Sequence, residues 1–308
     1  MTSFRKLSAR ALLIAVFATP TAALAERPSV IDSTRATRAQ LQYSFSRGQT
    51  SSYTLQFTQQ IEPLSGQPDE NNFLITVSLP FNQEVQNVSD SGVSSIATTL
   101  GELALDVQTE SRTNFDPVRE RLRGVRITSR VDRDGTLVEQ INPLAIGLPA
   151  FDPAALVADI FLSSQPALPR EAVGIGDSWI QTIPMSLTTV DLSISGDISV
   201  RYTLVGYAFY GGREVAVLDG VYETSVSGVE SMEGLTSATV VGRGNGEGYV
   251  LFSVGEGRVL EHGMRNGVVL TTTDATGSRS VVGIQFQASV SLGGLPQDAE
   301  GSAAVVAP

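Results

Sequence analysis

Long stretches of this chain alternate between apolar and polar side chains, and that period of two constrains the fold more than any other feature. The clearest run sets Val190, Leu192, Ile194, Ile198, Val200, Tyr202 and Leu204 against Asp191, Ser193, Ser195, Asp197, Ser199, Arg201 and Thr203. A second sets Val282, Ile284, Phe286, Ala288, Val290 and Leu292 against Gly283, Gln285, Gln287, Ser289 and Ser291. Shorter runs are Tyr53-Leu55-Phe57, Phe73-Ile75-Val77-Leu79-Phe81, Leu103-Leu105-Val107 and Val125-Ile127-Val131. Successive strand residues point to opposite faces, so each run offers one face to a core and one to water, the pattern of antiparallel sheets. If Ser195-Gly196-Asp197 does not turn the chain, the first run spans ~50 Å at about 3.3 Å per residue and calls for a curved sheet. A turn at Gly196 is the competing reading.

The expected fold is therefore mainly β: long curved antiparallel sheets, as a half-barrel or a sandwich, with one short helix between two halves. Turn residues support hairpins at Asp132-Arg133-Asp134-Gly135-Thr136, Tyr210-Gly211-Gly212-Arg213 and Gly255-Glu256-Gly257-Arg258. The helix is expected from Asp152 to Ser164, with Asp152 as N-cap, Pro153 at the first helical position and Leu156 and Ile160 on one stripe. Pro166-Ala167-Leu168-Pro169 then reads as an extended linker. Matching pieces hint at an internal duplication. Arg47-Gly48-Gln49 and Ile175-Gly176-Asp177 each open a strand, and Gly135-Thr136-Leu137-Val138-Glu139 resembles Gly257-Arg258-Val259-Leu260-Glu261.

Met1 to Ala25 reads as a cleaved secretory signal: Arg5, Lys6 and Arg10, an apolar stretch over Ala11 to Ala18, then Ala23-Leu24-Ala25. Its apolar run is too short to span a bilayer, so no transmembrane segment is expected in the mature chain. The remaining organisation is a flexible leader at 26–40, a first β half at 41–150, helix and linker at 151–170, a second β half at 171–292 and a disordered tail at 293–308. Export places the protein in the periplasm or outside the cell.

Composition removes several chemistries. Lys6 is the only lysine, so a mature chain has none for a Schiff base, a Ser-Lys dyad or a phosphate loop. There is no cysteine for a thiol nucleophile, disulfide or lipid attachment. The net charge of −11, more negative once the basic leader is removed, disfavours nucleic acid as a partner. His262 is the only histidine, and at a strand end it is expected to be solvated. Asp132-x-Asp134-Gly135 lacks the sixth-position glycine and twelfth-position glutamate of a calcium loop and fits a hairpin turn. Gly242, Gly244, Gly246 and Gly248 have the wrong spacing for a dinucleotide site. Four glycines at alternate positions instead leave one strand face bare, for bending, close approach of a backbone or a ligand; a flexible hairpin loop is the alternative. Arg119, Arg121, Arg123, Arg126 and Arg130, followed by Arg133, form an expected anion patch for a lipid headgroup or acidic polysaccharide, unless they pair with neighbours such as Glu102, Asp106 and Glu110. Gly124 marks a parity shift there that a bulge would produce.

The segment Val173-Gly174-Ile175-Gly176-Asp177-Ser178-Trp179, followed by long strands and a Gly-x-Val-Leu hairpin at Gly257 to Leu260, resembles uncharacterised secreted bacterial β-proteins with a mid-chain motif of this kind. In architecture it is similar to LolA/LppX-type envelope carriers. That resemblance, over Leu41 to Leu292, implies a strongly curved antiparallel sheet wrapped around an apolar cavity closed by helices.

The expected function is non-catalytic: binding of an apolar or amphiphilic ligand, such as a lipid or lipoprotein acyl chain. Its contacts would be Val190, Leu192, Ile194, Ile198, Val200, Tyr202, Leu204, Ile284, Phe286 and Val290. No cofactor or metal is expected. A structural or assembly factor of the cell envelope, working through protein contacts, is the alternative. An envelope glycan hydrolase with paired carboxylates, and an outer-membrane barrel, rank behind these; no C-terminal aromatic residue or aromatic girdle supports the barrel.

Overall fold

The alternating runs form strands in the computed structural model, which describes residues 27–64, 73–108, 116–141, 165–188, 192–230 and 237–293. The strands are β1 (Thr50–Pro63), β2 (Phe73–Val88), β3 (Ser94–Leu100), β4 (Ala104–Gln108), β5 (Arg126–Val131), β6 (Leu137–Ile141), β7 (Ser178–Thr188), β8 (Leu192–Tyr210), β9 (Arg213–Glu230), β10 (Ala238–Ser253), β11 (Arg258–Thr273) and β12 (Arg279–Leu292). They build one 12-stranded antiparallel sheet ordered β6-β5-β3-β2-β1-β12-β11-β10-β9-β8-β7, with β4 paired to β2 off that path. The second half runs as a meander from one edge to the centre, where β12 meets β1 with Leu55 opposite Val290 and Ile61 opposite Ile284. From β1 the first half runs outward to the other edge. The sheet is not closed into a barrel.

β8 runs straight through Gly196, so the turn reading is corrected: at 19 residues it is roughly 60 Å long. The glycine serves a different purpose. A Cβ on Gly196 would lie 2.0 Å from the carbonyl oxygen of Ser225 on β9, so only a bare Cα lets the two strands lean together.

The parity shift near Gly124 is not a bulge. A short helix α1 (Asp116–Leu122) ends there, and Gly124 leaves it with φ +75° and donates its N–H to the Leu100 carbonyl. Asp116 and Pro117 supply the helix start that the arginine spacing obscured, and Leu122 buries itself in the core. The helix expected over 152–164, the expected signal segment and the expected disordered tail beyond 293 lie outside the described residues.

The polar stretch expected to be a flexible leader is tied across the sheet at its hairpin end. Ile31 donates to the Tyr207 carbonyl, Tyr207 returns a bond to Asp32, and Ala39 and Val173 exchange a pair of bonds. Its arginines find fixed partners: Arg27 with Asp219, Arg35 with Glu214 at 2.6 Å and Arg38 with Asp177 at 2.7 Å. Leu41 and Tyr43 then enter the core.

A second strap spans the two sheet edges. Leu168 donates to the Asp134 carbonyl in the β5–β6 turn, and Arg170 Nε bonds Asp134 Oδ2 at 2.9 Å. On the other side Ala167 donates to Gln181 Oε1, and Trp179 Nε1 on β7 donates to the Ala167 carbonyl at 2.7 Å. Tyr43 Oη holds the strap from beneath through the Pro166 carbonyl at 3.0 Å. The curved sheet thus comes round on itself, with β6 and β7 joined through Gln165–Arg170 instead of through a ladder.

Candidate functional site

The register places the two long apolar stripes on one face. Ile284, Phe286, Ala288 and Val290 sit beside Ile61, Gln59, Phe57 and Leu55 of β1 on one side, and beside Val268, Asn266, Met264 and His262 of β11 on the other. Farther round, Tyr202, Val200 and Ile198 face Trp179, Gln181 and Ile183 of β7. Ile194, Ile198, Val200, Tyr202, Leu204, Ile284 and Phe286 join one hydrophobic cluster, and Val290 packs in a second on the same face. Leu192 opens β8, and Val190 lies outside the described residues. This face is dry: Val200, Tyr202 and Leu204 are 0% exposed and Phe286 2%. An acyl chain entering here would replace contacts already made, not fill an open channel.

The glycine-bearing segment is no flexible loop; it is the inner face of β10. A Cβ on Gly246 would lie 2.2 Å from the Arg265 carbonyl oxygen, and one on Gly244 or Gly248 would lie 2.4 Å from the carbonyl of Gly267 or Gly263. The bare lane lets β11 bend sharply over β10, and side chains from β9 and β11 meet across it. Tyr222 Oη and His262 Nε2 are 2.8 Å apart, and Asn266 Nδ2 donates to Thr224 Oγ1 at 2.9 Å.

His262 is thus buried at 2% exposure, not solvated; the curvature carries it inside. Burial pushes the Tyr222 hydroxyl well above the usual phenol range, with Tyr202 beside it adding to the effect, and burial likewise raises Tyr202. Both stay neutral hydroxyls at physiological pH. Along the same cross-strand row, Gln59 and Asn266 flank Phe286 at 3% and 2% exposure. Gln59 Nε2 and Asn266 Oδ1 have no hydrogen-bond partner. Leaving such an atom unpaired costs about 1–3 kcal/mol. These polar positions escaped the sequence reading, although Phe57-x-Gln59-x-Ile61 and Met264-x-Asn266-x-Val268 display them as polar residues on an apolar parity.

The arginines do not converge. Arg119 bonds Asp116 and the Leu105 carbonyl, Arg126 pairs with Glu84 at 2.9 Å and Arg130 with Glu139 at 3.1 Å. Arg121 and Arg123 lie exposed at the end of α1. Pairing with acids was expected, but from other residues than Glu84, Glu139 and Asp116. Asp132 and Asp134 shape a hairpin turn: Gly135 takes φ +84° and Thr136 donates to Asp134. Among the described residues no group of three or more His, Asp or Glu side chains is placed to hold a metal. Glu261, on the opposite face from His262, accepts hydroxyl bonds from Tyr210 and Tyr249.

No family model and no curated protein matches the chain. Among solved structures, lipovitellin, in a study of its lipid–protein interactions, aligns with a TM-score of 0.48 at 12% identity, covering 82% of this chain. The chain spans only 26% of that protein. A variant porin from Rh. blastica aligns at 0.25 and 10% identity, covering 78% of this chain and 100% of the porin. An outer membrane channel from Pseudomonas putida F1 gives 0.18 and 8% identity over 81% of this chain and 97% of that one. At these scores the fold reading rests on the strand order itself. Among the described residues no helix is long and apolar enough to cross a membrane.

Proposed function

We propose that this chain is an exported, non-catalytic carrier that holds an apolar or amphiphilic ligand, such as a lipid or lipoprotein acyl chain, against the inner face of its sheet. The observation behind this reading is one continuous apolar face, running from β7 through β12 to β2, in a sheet whose edges, among the described residues, meet through a strap. Eight strands already enclose enough room for side chains or a small ligand, so the eleven that stand side by side here carry spare width once the strap yields. An entering chain trades water for the inner face, worth roughly 25 cal/mol per Å² or about 0.8 kcal/mol per methylene, less the contacts it displaces. Nothing in this scheme calls on a nucleophile or a metal.

Native mass spectrometry of gently purified protein, together with uptake of a fluorescent fatty-acid probe, tests the reading. Bound lipid or saturable uptake is expected; a lipid-free preparation that takes up no probe refutes it. The assembly-factor reading draws on the exposed apolar side chains of the edge strands: Ile180 on β7 at 61%, and Val138 and Leu137 on β6 at 52% and 40%. Specific protein partners that depend on Ile180, with no lipid present, would decide for it.

A further inference from the structure

We infer that Gln59 and Asn266 form the polar recognition point of the inner face, and that the ligand they select carries an uncharged hydrogen-bonding head, such as a hydroxyl, ester or amide. The inference rests on the carrier reading and narrows its ligand class. The two residues stand in one cross-strand row on either side of Phe286, on strands about 9–10 Å apart across two ladder spacings. Thr224 Oγ1 accepts a hydrogen bond from Asn266 Nδ2, while Asn266 Oδ1 remains a bare acceptor and Gln59 Nε2 a bare donor. Both side chains are more than nine-tenths buried. A donor and an acceptor left open together match a group that both accepts and donates, or a head with an ester oxygen and a hydroxyl.

The electrostatics of this face select against an anionic head. Arg126, Arg130, Arg201, Arg243 and Arg265 are all exposed, and the described chain has no lysine. His262, held against Tyr222, is the basic side chain buried on this face, and a carboxylate or phosphate drawn to the Gln59–Asn266 row would be desolvated with no arginine or lysine in that row to compensate it. An alcohol or amide carries no such penalty, and it restores the two missing bonds.

The test uses the full mature chain loaded with the neutral probe N-phenyl-1-naphthylamine, displaced by dodecan-1-ol or by dodecanoate at pH 8. Dodecan-1-ol is expected to compete at a concentration at least tenfold lower. In Gln59→Leu and Asn266→Leu, both well suited to an apolar core, its apparent Kd should rise about tenfold per lost bond, a change equal to about 1.4 kcal/mol. The circular dichroism spectrum should stay unchanged. Probe uptake with dodecanoate equal or superior, or an alcohol preference that survives both substitutions, overturns the inference and leaves the carrier reading standing. No probe uptake in the unaltered protein overturns both.

Discussion

Replacing Gly246 with alanine is expected to cost far more than a methyl group normally does in a strand. The added Cβ would lie 2.2 Å from the Arg265 carbonyl oxygen, 2.6 Å from the Asn266 Cα and 2.7 Å from the Asn266 Cβ. Reaching even 3.0 Å requires β10 and β11 to separate by about 0.8 Å, and the atoms in the way are largely backbone that cannot rotate aside. Overpacking of a well-filled core costs about 1–3 kcal/mol, and an immovable neighbour puts this site at the upper end. Alanine recovers about 0.5–1 kcal/mol of backbone entropy relative to glycine, which leaves a net loss of about 2 kcal/mol. For a domain of this size that lowers Tm by about 4–8 °C. Gly267 is the internal control: it lies on the neighbouring strand β11, with nothing within 4 Å of its missing Cβ. Gly267→Ala should be neutral or raise Tm by a few degrees. Differential scanning calorimetry of both variants decides the matter. A Gly246→Ala protein as stable as its parent, or a Gly267→Ala protein equally damaged, would show that the bare lane has nothing to do with curvature.

Further outcomes follow from the bonds that hold the ends. Tyr222→Phe removes the 2.8 Å contact to the buried His262 and should lower stability by about 1–3 kcal/mol in urea titration, with an unchanged far-UV spectrum. Tyr43→Phe deprives the Pro166 carbonyl of its buried donor, and a loss of about 1 kcal/mol should come with faster proteolysis at the strap. Trp179 is the only tryptophan and donates to that strap, so its emission should shift on ligand uptake; an unmoved spectrum at saturating probe would exclude strap release as the entry step. For Glu256, burial works to raise the carboxyl, but bonds from Arg213 and Arg258 outweigh it and hold the group below 4.5. The stabilisation is therefore complete above pH 4.5 and drains away as pH falls through the lower folded value. The stability gap between the parent protein and Glu256→Gln, read from denaturant midpoints, should narrow progressively as pH falls below 4.5.

Local alternation made the faces legible, because a period of two assigns each side chain to one side whatever its neighbours are. The stripes from Ile194 to Leu204 and from Ile284 to Leu292 needed nothing more. Strand order is different: the pairing of Tyr53 with Leu292 joins residues far apart in the chain, and no local pattern encodes it. The same limit hid the surroundings of His262, whose partner Tyr222 reaches it only because the intervening glycines let the sheet fold sharply. The arginine-rich stretch misled for another reason. Its charges masked an Asp-Pro helix start, and Gly124 signalled the end of a helix where alternation alone suggested a defect in a strand. The polar leader looked unable to pay for order by burial, yet its arginines are matched one by one to acids on β9 and immediately before β7.

The ladder between β1 and β12 lies at the middle of the sheet, yet it joins its first and last long strands. During synthesis from the amino end, β1 emerges early and must wait for nearly the whole polypeptide before its second neighbour exists. Until then an edge of 14 residues stays open to any passing strand. A chain cut short before Arg279 would keep two half-sheets, each with a bare central edge, and would be far more prone to aggregate than its small loss of length suggests.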